Sequence, residues 1–483
     1  MWHLNEPLFQ KDFLSELPEE IAYRIIAHLT TRDLMTCAGV SRAWRRLCED
    51  DRTWRQECLE RGYVKFDAPS FHFLGGWADN RADEQAGITI CSHMDLQEAH
   101  QNRRERENAY GQCYERSSWK SLYLRKKRII SNWRSRAIQS STVQEVDKGI
   151  FRLQVHSGRI LTCFDDTTLR VWNVDDAQPA FTLTGHMGQI LTFQVSDDGE
   201  YIVSSGFDET VRVWCGQTGA QLHVLQGHTD LIPCMSLHGT TLVSGSSDQT
   251  LRVWDIVDGK CLHILTGHLA EVRFVLFDGK QVVSSADGDD FNVKVWNAHT
   301  EECLYMLTGH TDIILSLLFE SERDLVVSGS RDGTIRVWDV RRRTCIAHLV
   351  FHQGSRLSSY FEMQFRGNIL VSYYDSKLKV WDIRDGGSFT HRLQEANRRT
   401  SNVTSLQLLD HGLLVTGSMD GSVMLWDVDK GIFVRDLVRF ASCGYGGYNW
   451  LLKASETLLV GAFEARSERS TNLILIDFDA AYP

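Results

Sequence analysis

The sequence predicts a mainly β chain: an eight-bladed β-propeller on the C-terminal side, preceded by an α-helical segment and a helical linker. Three observations predict it. A Trp ends a short apolar run seven times, at Trp172, Trp214, Trp254, Trp296, Trp338, Trp381 and Trp426, at intervals of 40–45 residues, which is the period of a four-stranded blade. Six residues ahead of each Trp stands an Asp: Asp166, Asp208, Asp248, Asp290, Asp332, Asp375 and Asp420. Four units open on a Gly-His dipeptide, at Gly185-His186, Gly227-His228, Gly267-His268 and Gly309-His310.

Each part of a unit has a physical reason. Runs such as Thr250-Leu251-Arg252-Val253-Trp254 alternate between two faces, as half-buried strands do. The segments between them, such as Ser330-Arg331-Asp332-Gly333-Thr334, carry turn chemistry, with Asp bonding nearby backbone and Gly tolerating positive φ. An imidazole at the head of the unit reaches the turn Asp, so two polar groups satisfy each other inside one blade. A lone four-stranded sheet cannot bury both faces, so the units stack radially and close. An eighth, degenerate unit follows: Trp450-Leu451-Leu452 and Leu458-Leu459-Val460 read as strands, and Leu473 to Phe478 stands where Val-Trp-Asp is expected. The segment near Ile138–Val143 is expected to lend the outer strand that closes the ring.

From the start of the chain, the expected division is a short tail over 1–11, a helical segment over 12–61, a linker over 62–137 and the propeller over 138–483. In the helical segment Pro18 suits a first turn and Glu19-Glu20 suit the positive end of the helix dipole. Ile21, Ile25, Ile26 and Leu29 follow at helical spacing. Thr30 or Thr31 caps a second helix carrying Leu34 and Cys37, Ser41 begins a third, and Trp54 closes the pattern. The expectation is a three-helix bundle. It carries more apolar residues than so short a bundle hides, with Leu17, Pro18 and Ile21 at its rim, and that excess points to a partner.

At these residues the chain resembles the F-box: Leu17-Pro18, Ile25, Leu29, Asp33-Leu34, Val40-Ser41, Trp44, Asp51 and Thr53-Trp54. The resemblance implies docking on a Skp-type adaptor, and through it on a cullin and a RING subunit. The adaptor-binding residues it implies are Leu17, Pro18, Ile21, Ile25, Ile26, Leu29, Leu34, Val40, Trp44 and Trp54. Only Met1 to Lys11 precedes the segment, so dimerisation by the family's N-terminal helical route is not expected.

The linker opens with a mixed-charge stretch over 63–116, read as a solvated helix or flexible insert. Ser118 to Trp133 then returns to helical amphipathicity and resembles the linker helices of the archipelago-type branch. Its Arg125-Lys126-Lys127-Arg128 run reads as the wet face of that helix, with nuclear import as the competing reading. The absence of a Pro- or Ser-rich coil favours a stiff connector.

Composition excludes several functions. With 52 Lys and Arg against 63 Asp and Glu, the net charge is −11, which argues against a nucleic-acid binder. No run approaches the about 18 apolar residues of a membrane span, and the start lacks the character of a secretory signal. Cytoplasm, nucleus or both are expected. None of the 12 Cys forms a Cys-x-x-Cys pair, so no metal site is expected and the thiols read as reduced and structural. No nucleophile elbow, phosphate-binding Gly-rich loop or His-Glu-x-x-His occurs. No catalytic residue and no cofactor are expected; the chain reads as a non-catalytic binding protein.

From Trp119 to Phe478 the chain looks most like the archipelago-type F-box/WD-repeat substrate receptors. The resemblance implies an SCF-type ubiquitin-ligase receptor whose propeller mouth binds a short degron, phosphorylated in that family and held by arginines. Those arginines carry over incompletely. Pro233 and Ser247 stand at two of their positions, Glu209 at a third, and Asp289 and Leu315 replace tyrosines. Arg273 remains, Arg466 matches the last, and Arg331 adds a cation in the fifth blade, with Arg356 nearby in sequence. Leu191, Leu315, Phe361 and Phe207 fall at mouth positions. The expected substrate site therefore joins an apolar anchor pocket (Leu191, Leu315, Phe361) to an acidic or phosphorylated flank set by Arg273, Arg331 and Arg466. The alternative is a non-degradative WD-repeat scaffold, which has no use for an adaptor-docking rim.

Overall fold

A computed structural model describes residues 17–26, 28–60, 63, 88–90, 118–135, 141–146, 149–156, 158–174, 179–351, 361–374, 377–384, 386–393, 401–409, 411–440, 447–465 and 471–479. The chain divides into a helical unit and a propeller unit. The division does not follow chain order: strand Ile88–Ile90 belongs with the propeller, and Phe478 and Asp479 belong with the helices.

The helical unit holds five described helices: α1 (Glu19–Ile26), α2 (Thr31–Cys37), α3 (Arg42–Cys48), α4 (Asp51–Glu60) and α5 (Ser118–Arg134). Thr30 caps α2 by accepting from the Asp33 N–H, and Ser41 caps α3 by accepting from the Trp44 N–H. The expected three-helix bundle is thus short by two helices. Residues around Trp54 form α4, and α5 completes the core. Leu122 and Tyr123 of α5 are buried with Ala22, Ile26, Leu34, Leu47 and Trp54. The Tyr123 hydroxyl donates to Thr31 Oγ1 at 2.9 Å, and Lys120 Nζ pairs with Glu49 at 2.8 Å.

The basic run of α5 is not a wet face. Arg125 and Lys126 are buried, and only Lys127 is exposed. Arg125 donates to Asp479 Oδ2 through Nε at 2.9 Å and Nη2 at 2.6 Å, and Arg128 donates to Oδ1 of the same carboxylate. Trp133 stacks on Phe478 with ring centroids 3.4 Å apart. Long side chains at i and i+3 on one helix face meet one carboxylate, and that buried partner, absent from any local sequence window, draws the charges inward.

In the propeller unit seven four-stranded antiparallel sheets follow in chain order, and an eighth, built differently, completes the ring. The first strands of successive sheets lie side by side, and the first strand of the eighth, Tyr448–Ala454, lies against that of the first, Ile150–His156. The eighth sheet takes its outer strand, Ser141–Val146, from before the first blade, pairing it with Thr471–Asp477. Strand Ile88–Ile90 adds a fifth strand outside that, inside the stretch read as a solvated insert.

The blade Trp does two things. Its ring fills the seam with the preceding blade: Trp214 is buried with Leu161, Leu169 and Val171, and Trp338 with Val283, Val293 and Leu307. Its Nε1–H donates to a hydroxyl on the second strand, Ser204, Ser244, Ser284 and Ser328 in blades 2–5, at 2.8–2.9 Å. In those blades the same Ser meets the Gly-His imidazole at 2.7–2.8 Å, and Nδ1 of that imidazole meets the turn Asp at 2.7–3.0 Å. The bond expected from sequence is there, extended by two further members.

Burial holds the imidazoles of His186, His228 and His268 below their ordinary value, against the pull of their aspartates. Burial opposes ionisation of Asp208, Asp248, Asp290 and Asp332 too, yet the hydrogen bonds they accept keep each below the usual carboxylate range. Both shifts leave the native state binding fewer protons than the unfolded one, so both lose stability as pH falls. Urea midpoints are expected to be level above pH about 6.5, to decline below it as the imidazoles are forced to charge, and to fall steeply below about 4. A midpoint that rises between pH 7 and 5 is the contrary result.

Candidate functional site

On the helical unit, α1 carries two apolar stripes. Ala22 and Ile26, one turn apart, point into the core, whereas Ile21 and Ile25 lie outward, Ile21 at 46 % exposure. Pro18 is exposed just before α1, and Val40, in the turn after α2, is 66 % exposed. Leu17, Leu29 and Trp44 are half-buried. The ten residues named from sequence therefore divide. Ile26, Leu34 and Trp54 are fully buried and build the scaffold rather than a docking face, because they share one core with Leu122 and Tyr123 of α5. Pro18, Ile21, Ile25 and Val40 remain as uncovered apolar surface.

On the propeller, a recurring pair of backbone features builds the mouth. The residue before the turn Asp donates its N–H to a carbonyl in the loop entering the first strand, one residue before that strand in blades 2 and 5 and three before it in blade 3. The pairs are Phe207 to Gln189, Ser247 to Leu231 and Arg331 to Ile313, at 2.9–3.0 Å. In blade 4 the donor is Asp287, to Glu271 at 2.8 Å. That turn is two residues longer, with Ser284 and Trp296 twelve apart where Ser328 and Trp338 are ten apart. Asp287, and not the expected Asp289, thus takes the equivalent position.

The second feature is a β-bulge at the start of the first strand. Register breaks between Ile150 and Arg152, Ile190 and Thr192, Val272 and Phe274, and Ile314 and Ser316. Each break leaves one residue out of the ladder, Phe151, Leu191, Arg273 or Leu315, and a bulge re-aims that side chain. Phe151 and Arg273 are exposed, and Leu191 and Leu315 are half-buried. Blade 6 has no such break: Phe361 pairs in register with Tyr374. Its ring is buried against Phe351, centroids 4.7 Å apart. Phe361 is core, not an anchor residue.

The charges are not equivalent either. Arg273 Nη1 lies 2.7 Å from Asp287 Oδ2, so the arginine retained from the family pattern is already neutralised. The Arg331 guanidinium has no hydrogen bond or ion pair among the described residues, and its Nε is buried without a partner. Glu209, exposed, sits at φ 61° in the tight turn after Asp208. Arg466 and Arg356 lie outside the described residues.

Sequence reading missed two of the most exposed apolar side chains, Met187 at 89 % and Leu269 at 78 %. Each follows a Gly-His, and its N–H donates to the turn Asp at 3.0 and 3.3 Å, which turns the side chain outward. The signal was present in the repeat, where blades 3 and 5 place Thr229 and Thr311 at that position. Phe207 lies against Gly188, the residue after Met187, so two exposed apolar side chains share this apolar edge of blade 2. Among the described residues no group of His, Cys, Asp and Glu suits a metal ion, and no helix is long and apolar enough to cross a membrane.

Comparison with known proteins agrees with this division. Residues 14–60 match the F-box-like family, and five stretches, 177–215, 219–255, 259–297, 301–339 and 387–427, match the WD domain, G-beta repeat. F-box/WD repeat-containing protein sel-10 of Caenorhabditis elegans is 43 % identical over 482 residues, covering 99 % of this chain and 80 % of that protein. F-box/WD repeat-containing protein 7 of Drosophila melanogaster is 40 % identical over 196 residues, 40 % of this chain and 12 % of that one. A probable E3 ubiquitin ligase complex SCF subunit, sconB of Arthroderma otae, is 26 % identical over 177 residues, 36 % of this chain and 25 % of it. Among solved structures, the computationally designed Ika8 protein superposes with a TM-score of 0.58 at 30 % identity, over 68 % of this chain and 98 % of its own.

The different placement of two mouth candidates is measurable. Phe361→Ala is expected to cost about 3–5 kcal/mol in urea unfolding, as loss of a buried aromatic does. Leu191→Ala, half-buried, is expected to cost less than half of that. Equal costs contradict the assignment of Phe361 to the core.

Proposed function

This chain belongs to the F-box/WD-repeat family, and from that membership we propose that it is the substrate-recognition subunit of an SCF-type cullin–RING E3 ubiquitin ligase. The F-box docks the Skp-type adaptor, and the propeller mouth holds a protein substrate by a short degron for ubiquitin-dependent degradation. The chain supplies no catalytic group; it raises the rate of a reaction carried out by others by holding two proteins at one distance. It works in the cytoplasm, the nucleus or both.

The observation that carries this reading is the apolar stripe of Pro18, Ile21, Ile25 and Val40, left uncovered on a unit whose core is complete without it. Uncovered apolar surface of this kind is costly in isolation and fits a partner that buries it. Ile21→Asp in the full chain is expected to abolish capture of the adaptor and cullin while leaving the urea midpoint unchanged, and Leu17→Ala with Pro18→Ala to weaken capture. Adaptor absent from wild-type captures too, under the same conditions, would leave the non-degradative scaffold as the better reading.

For the substrate, the apolar edge of blade 2 and Leu315 serve as the anchor region, and Arg331 as the cation for an acidic or phosphorylated flank. Arg273 contributes only when Asp287 releases it. A hydrogen bond to a charged group is worth about 1.5–3 kcal/mol, so Arg331→Ala is expected to weaken a phosphorylated degron by about tenfold or more. Asp287→Asn is expected to strengthen it by freeing Arg273. Peptide affinities unchanged in both variants would remove the anionic flank from the reading.

A further inference from the structure

The inner wall of the propeller carries a second, unassigned arrangement of charge. The first strands of the eight blades form the closed ring, and at one position on them the side chain ties a blade to the next. Gln194 donates to the Met235 carbonyl and accepts from the Leu237 N–H, at 2.9 and 2.6 Å. Ser236 accepts from the Phe277 N–H at 2.9 Å, and Gln364 repeats the Gln194 pattern with Leu406 and Leu408. In blade 8 that position, opposite Val460 as Gln194 is opposite Val203, holds Lys453. Two residues earlier in the same pattern, blade 1 holds Arg152, opposite Cys163. The seam that closes the ring thus has a cation on each side.

Neither cation has a hydrogen bond or ion pair among the described residues. Both are accessible to solvent, yet both lie among groups from across the ring. Arg152 is within electrostatic reach of Cys234, two blades on, and Lys453 is within reach of Arg152 and of Glu362, two blades back. Inner-strand residues two blades apart meet only through the central channel. Withdrawal from bulk water lowers the proton affinity of both cations and raises that of Glu362, while Lys453 and Glu362 each favour the charged form of the other. Two solvent-accessible cations therefore share the inner wall with a single half-buried carboxylate.

We propose that the central channel binds a small inorganic oxyanion of the phosphate class between Arg152 and Lys453, where it neutralises the closing seam of the ring. A guanidinium presents paired donors that match two oxygens of a tetrahedral oxyanion, and an ammonium supplies a point charge beside it. Arg152 follows the bulge residue Phe151 directly, but neither cation is itself a bulge residue, and the site does not depend on the ligase reading. A ligand bound by the folded ring alone raises its apparent stability.

The test uses the full chain, with sodium pyrophosphate and sodium phosphate as probes and sodium chloride at matched ionic strength as the control. Both oxyanions are expected to raise the unfolding temperature and chloride is not. Calorimetric affinity for pyrophosphate is expected to fall tenfold or more in Arg152→Gln and in Lys453→Gln. In Glu362→Gln, which removes the opposing charge, it is expected to rise at least threefold. Equal shifts with chloride, or unchanged affinity in Arg152→Gln, overturn the proposal. Should Arg152→Gln fail to fold, unchanged affinity in Glu362→Gln overturns it alone.

Discussion

In blades 2–5 the turn Asp, the Gly-His imidazole, a second-strand Ser and the blade Trp form one continuous chain of hydrogen bonds. Its direction follows from donor and acceptor supply. The indole can only donate, so Ser Oγ accepts from it and spends its own proton on Nε2; Nδ1–H then donates to the carboxylate. Burial keeps His186, His228 and His268 from charging, which preserves that tautomer. Within this hydrogen-bonded network the indole, hydroxyl and imidazole are all satisfied, and the ring of the Trp is free to fill the seam with the preceding blade. Blade shape and blade packing therefore depend on the same four residues.

The same network places the mouth. The turn Asp also accepts from the N–H after each imidazole, which fixes the loop entering the first strand. In blades 2, 4 and 5 a bulge one residue into that strand then turns a side chain outward. What the mouth offers is decided blade by blade: leucine at 191 and 315, an arginine neutralised by Asp287 at 273, and nothing from blade 6, where the bulge is missing. A charge-by-charge carry-over from the family pattern overlooks this, since an arginine held by a carboxylate at 2.7 Å offers an incoming anion little.

The helical unit divides apolar residues by a different rule. Ile21 and Ile26 belong to one helix and look alike in composition, but one is on the surface and the other in the core. Helix α5, more than fifty residues later in the chain, decides this by covering one side of the bundle. The basic run on α5 shows the reverse effect, with Asp479 drawing Arg125 and Arg128 out of solvent. A buried pair of this kind ties the residue after the last strand to a helix about 350 residues earlier in sequence.

What the sequence determined by itself was whatever repeats or is local. The blade period, the Asp six residues before each Trp, the His–Asp bond, the helix starts near Thr30 and Ser41 and the eight-blade count are all legible, because short-range geometry dictates them. Only the tertiary structure decided which apolar residues face out, which cations are free and which helix Asp479 meets. Phe361, Arg273, Asp287 and the Arg125–Asp479 pair depend on single-residue register, or on partners far away in sequence. A one-residue bulge reverses the direction of a side chain, and burial converts a basic surface run into an internal ion pair. Neither change leaves a mark on composition or period.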